Sequence, residues 1–178
     1  MSTSHPPVAY LPDTGGVDIT LRSAVGLGRT RLAAFDHALL GAGIADRNLI
    51  VLSSVIPPGS NVRLLEDVES EPIGGTHGDR LYCVLAAAYA EAPGQEAWAG
   101  IGWVLADAPG AGLFVEHVAT SEAELERLIH TTLGDMVENR GGGYGPVQSL
   151  ITSATYVDRP TAALTVAAYT TIPWGAHA

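Results

Sequence analysis

The chain has 178 residues, nearly half of them apolar and only 16% charged, which suits one well-buried core of ordinary domain size. Nine Lys and Arg against 19 Asp and Glu give a net charge of −10; this argues against a nucleic-acid partner, which needs clustered cations, and is compatible with a cationic substrate. The single cysteine, Cys83, excludes an intrachain disulfide, and the absence of clustered Cys and His leaves no zinc-type metal site.

Residues 1–15 contain three prolines and little periodicity, and read as an extended arm. They show no basic region followed by an apolar stretch, and no apolar run in the chain could span a bilayer. The expected location is therefore the cytoplasm, with no membrane partner. From Val17 to Ser23 the alternation VDITLRS predicts a strand with one buried face, and Gly26–Gly28 predicts a turn. GLGRTR (26–31) lacks the full glycine pattern and the Lys-Ser/Thr of a phosphate loop, which leaves only that turn.

Thr30 is placed to cap a helix over RLAAFDHALLGAG, ending near Gly41 or Gly43, with Leu32, Phe35, Leu39 and Leu40 as its apolar face. NLIVLSSVI follows as a short apolar strand that Pro57-Pro58-Gly59 stops. Three strand-like runs, 81–90, 97–106 and 112–119, are divided by Pro93-Gly94 and Pro109-Gly110, which predicts an antiparallel meander. Cys83 lies in the first of these and reads as a small core residue.

Ser121-Glu122-Ala123-Glu124 matches a capping box and opens the clearest helix. Its apolar stripe is Leu125, Leu128, Ile129, Leu133, Met136 and Val137, and Gly141-Gly142-Gly143 closes it. Runs 147–157 and 162–170 predict a final strand pair around Asp158-Arg159-Pro160. Strands outnumber helices and come in antiparallel groups, so the fold class is α+β. Nothing between 17 and 170 looks like a linker, so residues 1–178 are expected to form a single domain.

The segment with chemical content is Asn48-Leu49-Ile50-Val51-Leu52-Ser53-Ser54-Val55-Ile56-Pro57-Pro58-Gly59. Two serines ending a buried strand ordinarily bond the last backbone groups, and an Asn at a strand entry does the same. Further on, alternation along LFVEHVA puts Leu113, Val115 and His117 on one face and Phe114, Glu116 and Val118 on the other. Apolar surroundings favour the protonated form of a carboxyl, which is what a proton donor requires. Asp36, in AFDHALL, is by itself a helix carboxylate.

The block LAAFDHALLGAGIADRNLIVLSSVIPPGSNV resembles the pyruvoyl-dependent arginine decarboxylase family. The resemblance continues through GIGWVLAD, LFVEHVA and SEAELERLIHTTLGDMVENRG, and covers most of residues 17–157. It implies an αββα sandwich-like fold and self-cleavage between Ser53 and Ser54. In that reaction Ser54 Oγ attacks the Ser53 carbonyl, and the resulting ester eliminates to leave residue 54 as a covalent pyruvoyl group, the only cofactor. The pyruvoyl carbonyl condenses with the substrate amine and acts as the electron sink that pyridoxal phosphate provides elsewhere.

The resemblance also implies roles for individual residues: Asn48 assists processing, Glu116 donates the proton that replaces carbon dioxide, and Asp36 binds the substrate guanidinium. It implies L-arginine as substrate, agmatine as product, and a homotrimer, or a hexamer of paired trimers, with sites between subunits. Arg47 must then turn its own cation away from a bound guanidinium. Two alternatives stand beside this reading. One is a decarboxylase of another amino acid, and the other is an uncleaved, non-catalytic homologue with a structural or regulatory role.

Overall fold

The computed structural model describes residues 15–66, 68, 69, 71–106 and 111–175. The expected arm therefore lies almost wholly outside the described residues. In chain order the elements are β1 (Asp18–Leu27), α1 (Arg31–Gly41), β2 (Asn48–Val51), β3 (Val55–Ile56), β4 (Asn61–Leu64), β5 (Arg80–Ala90), β6 (Glu96–Leu105), β7 (Gly112–Ala119), α2 (Glu122–Asn139), β8 (Gln148–Thr155) and β9 (Thr161–Ile172).

They form two sheets. One runs β2-β5-β9-β1-β4 and is mixed; the other runs β3-β7-β6-β8 and is antiparallel throughout. Helix α1 packs on β1 and β9 of the first sheet, and α2 on β6 and β7 of the second. The layers are thus α1, five-stranded sheet, four-stranded sheet, α2, which is the expected α+β class and αββα order.

Each layer boundary has its own core. Ala34, Ala38, Leu81, Leu164 and Val166 fill the space under α1, and Leu125, Ile129, Leu133, Leu113 and Val115 the space under α2. Between the sheets lie Ile19, Leu21, Ile56, Val84, Ile101, Phe114 and Tyr169 at one end, and at the other small residues such as Ala86, Ala99 and Ala163.

Both helix starts follow the expected chemistry. Thr30 Oγ1 accepts from Ala33 N–H, and Ser121 Oγ from Glu124 N–H. Glu124 departs from the expected capping box by one residue, accepting from the Thr120 N–H and hydroxyl and not from the Ser121 N–H. Helix α1 ends with Gly43 at positive φ, its N–H on Leu40 and that of Ile44 on Leu39.

The apolar face predicted for α1 holds for Leu39 and Phe35, which join the core under the helix, and is corrected for Leu32 and Leu40. Ala34, Ala38 and Leu39 are buried, whereas Leu32 is 75% and Leu40 57% exposed. The cause is Gly26 in β1: a Cβ there would overlap the backbone of Ala34 and Ala38, so the helix lies directly on the strand. Only alanine-sized side chains fit directly under so close a crossing, and Leu32 and Leu40 turn outward. Strand β1 itself runs through to Leu27, and the chain bends only at Arg29 and Thr30.

Three pairings also differ from expectation. The run 48–56 is not one buried strand but two, β2 at the exposed edge of the first sheet and β3 at the edge of the second. The predicted meander is broken: β6 and β7 pair, but β5 belongs to the other sheet, between β2 and β9. Strands β8 and β9 are likewise in different sheets, β8 on β6 and β9 between β5 and β1. Strands β5 and β6, and β8 and β9, pack against one another across the sandwich instead of sharing backbone hydrogen bonds, while β2 and β3 end up as edge strands of different sheets.

Arg22 points to the α1 side of β1 and is 1% exposed. Its guanidinium donates to the carbonyls of Ala42, at the end of α1, and Glu71. No helix among the described residues is long and apolar enough to cross a membrane.

Candidate active site

Splitting 48–56 into two strands creates the site. After β2 the chain leaves the first sheet, with Leu52 N–H still on the Cys83 carbonyl, and enters the second at Val55. Ser53 and Ser54 occupy this crossing. Ser54 has φ 69° and is the one non-glycine residue at positive φ among the described residues. That left-handed conformation costs an L-residue about 1–2 kcal/mol and persists only where the surroundings hold it.

What holds it is visible. The Ser54 carbonyl accepts from Phe114 N–H at 2.8 Å. The Ser54 hydroxyl donates to Glu116 Oε2 at 2.7 Å. One residue further on, the Tyr169 hydroxyl donates to the Val55 carbonyl at 3.0 Å. Ser54 is 7% exposed, while Ser53 is on the surface.

Glu116 reaches the serine because β7 alternates as the sequence predicts. Leu113 and Val115 face α2, and Phe114 faces the space between the sheets. His117, on the α2 side, is bonded through Nε2 to Thr132 Oγ1 at 2.8 Å. Because β3 has only two residues, the edge of β7 is open beyond Phe114. A cavity of about 250 Å³ there is lined by Ser53, Ser54, Glu116, His117, Thr132 and Met136 together with Phe114 and Val115. Burial and the neighbouring charge of Glu116 push the Tyr169 phenol above its ordinary range, so it remains a hydrogen-bond donor.

The other expected site residues are elsewhere. The Asn48 amide donates to the Gly78 carbonyl at 2.6 Å, and its N–H to that of Asp79, which ties the entry of β2 to the 78–79 loop. In this structure Asn48 is thus engaged with local backbone, not with the serines. Asp36 is exposed on the outer side of α1, in a shallow depression with Thr30, Leu32, Phe35 and Leu39. It shares no cavity with Ser54. Arg47 is turned away, its guanidinium directed to the carbonyls of Gly43, Ile73, Gly74 and Gly75.

Sequence reasoning did not find Tyr169, Thr132 or Met136. Tyr169 lies in an apolar run, 114 residues from the carbonyl it binds, and no local pattern marks it. The α2 stripe gave Met136 as a core position, and it also lines the cavity. Among the described residues no cluster of His, Cys, Asp or Glu could hold a metal ion.

Fold and site together define an α+β sandwich carrying a hydrogen-bonded serine–carboxyl pair on a strained crossing between its sheets. The profile of the family described as pyruvoyl-dependent arginine decarboxylase matches residues 18–172. Similar proteins carry that same name. One from Thermococcus sibiricus is 31% identical over 86% of this chain and 94% of its own length. One from Thermococcus kodakarensis is 32% identical over 81% and 88%, and one from Methanopyrus kandleri 31% over 87% and 95%.

The chain belongs to the pyruvoyl-dependent arginine decarboxylase family. It is an enzyme of the decarboxylase class of lyases, and its cofactor is a covalent pyruvoyl group. The residues at the crossing fit such a group. Ser54 can be its source, the Phe114 N–H already fixes the carbonyl that would remain, and the adjoining cavity leaves room for a small substrate.

Proposed function

We propose that this chain, as one domain, cuts itself between Ser53 and Ser54 and then decarboxylates L-arginine to agmatine and carbon dioxide. The observation that carries the reading is the 2.7 Å hydrogen bond from the Ser54 hydroxyl to Glu116. Glu116 takes the hydroxyl proton as Oγ attacks the Ser53 carbonyl, and the peptide bond is exchanged for an ester. The Ser54 α-proton and the ester are then eliminated, which frees the Ser53 carboxylate and leaves dehydroalanine at 54. Its tautomer takes up one water and releases one ammonia. Fragments 1–53 and 54–178 remain together in one fold.

The pyruvoyl group, once formed, supplies an electrophilic carbonyl that takes up the substrate amine and withdraws electrons as carbon dioxide leaves. Glu116, beside the former Ser54 position, returns a proton to the substrate carbon. Phe114 N–H polarises the residue-54 carbonyl. Asn48 contributes by anchoring the strand that delivers the serine pair. Asp36 binds the guanidinium, because one carboxylate can accept two of its N–H groups at once.

Asp36 and Glu116 lie on different layers of one chain, Asp36 outside the first sheet and Glu116 at the edge of the second. The reading therefore includes a second copy that brings its Asp36 to this Ser54, as in a homotrimer or a hexamer. Leu32 and Leu40, one turn to either side of Asp36, are exposed, and so are Val51 and Val55 around the serines. Apolar surface bordering both halves of the site is what a neighbouring subunit would cover. Arginine as substrate draws on the names of the relatives, and Arg47, held by loop carbonyls, presents no competing cation. Cytoplasmic operation belongs to the same reading.

Intact mass of the purified protein tests this. The expected result is two species, residues 1–53 and 54–178, the second lighter by one ammonia than a fragment beginning with serine. Carbon dioxide should then be released from arginine faster than from ornithine, lysine or acidic amino acids. One uncut species after long incubation would refute the reading and favour a non-catalytic homologue. Faster release from another amino acid would refute arginine alone.

A further inference from the structure

We propose that Tyr169 is a positioning residue for self-cleavage, holding the Val55 carbonyl so that Ser54 stays in its left-handed, attack-ready conformation. The inference rests on the self-cleavage reading above.

Ser54 and the residue after it are held by three hydrogen bonds, which come from two strands of different sheets. Glu116 holds its hydroxyl, Phe114 N–H its carbonyl, and Tyr169 the next carbonyl along. The first two contacts come from β7, in the same sheet as β3. Tyr169 comes from β9, in the opposite sheet, and is the one hydrogen bond of the three that spans the sandwich. Strand β3 contributes only two paired residues, too few to fix a strained residue at its start.

The Tyr169 ring is 9% exposed and meets the Phe114 ring edge-on at a centroid separation of 6.1 Å. One side chain therefore packs against the residue whose N–H holds Ser54 and bonds the residue that follows Ser54. A phenol in so apolar a place needs a partner for its hydroxyl, and the Val55 carbonyl is that partner. Burial and the charge of Glu116 both oppose its ionisation, so the contact persists over the working pH range. A strained conformation relaxes when one of its few restraints is removed. Loss of the hydroxyl should lower the fraction of chains with Oγ aimed at the Ser53 carbonyl.

The test is the rate of cleavage in newly made chains. Wild type, Tyr169→Phe and Val84→Ala are synthesised in a cell-free system, chased, and followed by intact mass. Tyr169→Phe keeps the ring and removes only the hydroxyl. Val84→Ala opens the same inter-sheet core at a buried position and removes none of the three hydrogen bonds at the crossing. Global stability of each is measured by urea unfolding on a Ser54→Ala background, so that every chain is uncut.

The expected result is cleavage slowed about tenfold in Tyr169→Phe, which corresponds to one ordinary buried hydrogen bond. Val84→Ala should cleave at the wild-type rate despite a larger loss of stability. The inference is overturned if Tyr169→Phe cleaves as fast as wild type, or if both variants slow in proportion to their lost stability. Wild-type chains that never cleave overturn the self-cleavage reading and this inference together.

Discussion

Replacing Glu116 by Gln keeps the size of the side chain and an oxygen able to accept from Ser54, but removes its capacity to take up and return a proton. The structure separates two consequences by magnitude. If Glu116 only anchors the hydroxyl, the loss is the difference between a carboxylate acceptor at 2.7 Å and a neutral one. That difference is about 1–2 kcal/mol, or about 5- to 30-fold in rate. If Glu116 transfers protons, the loss is that of general acid–base catalysis, about 10²- to 10⁴-fold.

The second outcome is expected, and at two stages. Cleavage of newly made Glu116→Gln chains, followed by intact mass, should slow at least a hundredfold. Material that does mature should show a similarly reduced kcat per pyruvoyl group, with KM for arginine changed less than threefold. The assays are a mass time course and carbon dioxide release normalised to the carbonyl content of the protein. Losses of tenfold or less at both stages would refute proton transfer and leave Glu116 as an anchor. A normal cleavage rate with low kcat would confine its role to the substrate reaction.

Asp36→Asn should raise KM for arginine by roughly ten- to a hundredfold with a smaller change in kcat, since it removes one charge-assisted pairing; mixing it with Glu116→Gln subunits should restore part of the wild-type activity if sites are shared between copies, and no restoration would refute the shared site. Gly26→Ala should destabilise the fold by about 1–3 kcal/mol in urea unfolding, because the added methyl meets helix backbone that cannot rotate away. Cys83, buried under α1, should react with a thiol reagent only on unfolding, since burial pushes its thiol up to about 11 from 9.0. The unfolded chain then loses its proton first as pH rises, so this stabilisation is complete below pH 9.0 and declines between 9.0 and about 11. Cys83→Ala should lack that part of the decline when the two proteins are unfolded in urea across this range.

What could be read from the sequence was local. Thr30 and Ser121 mark their helices because a cap is settled within four residues. Alternation along LFVEHVA assigned Glu116 and His117 to the correct faces because a strand's period needs no knowledge of its partner. Strand pairing was not legible, because an apolar run fits either sheet of a sandwich equally well. Strand β9 is buried on both faces and carries no alternation to show which neighbours it has. The outward turn of Leu32 and Leu40 depended on the close approach at Gly26, a contact made across the turn between β1 and α1.

The same distinction explains why the serine pair needed a family resemblance to stand out. What sets the pair apart is a left-handed residue at a point where the chain changes sheets, and neither the change of sheet nor the positive φ leaves a mark in NLIVLSSVI. A glycine would have adopted that conformation without strain and would have announced the turn, but it has no nucleophile. On the proposed reading serine accepts the conformational cost here because its hydroxyl is the reagent, and three hydrogen bonds from two other strands hold it there. The site is thus specified by long-range contacts acting on an ordinary sequence, which is why restoring a glycine at 54 should leave the fold intact while removing the chemistry.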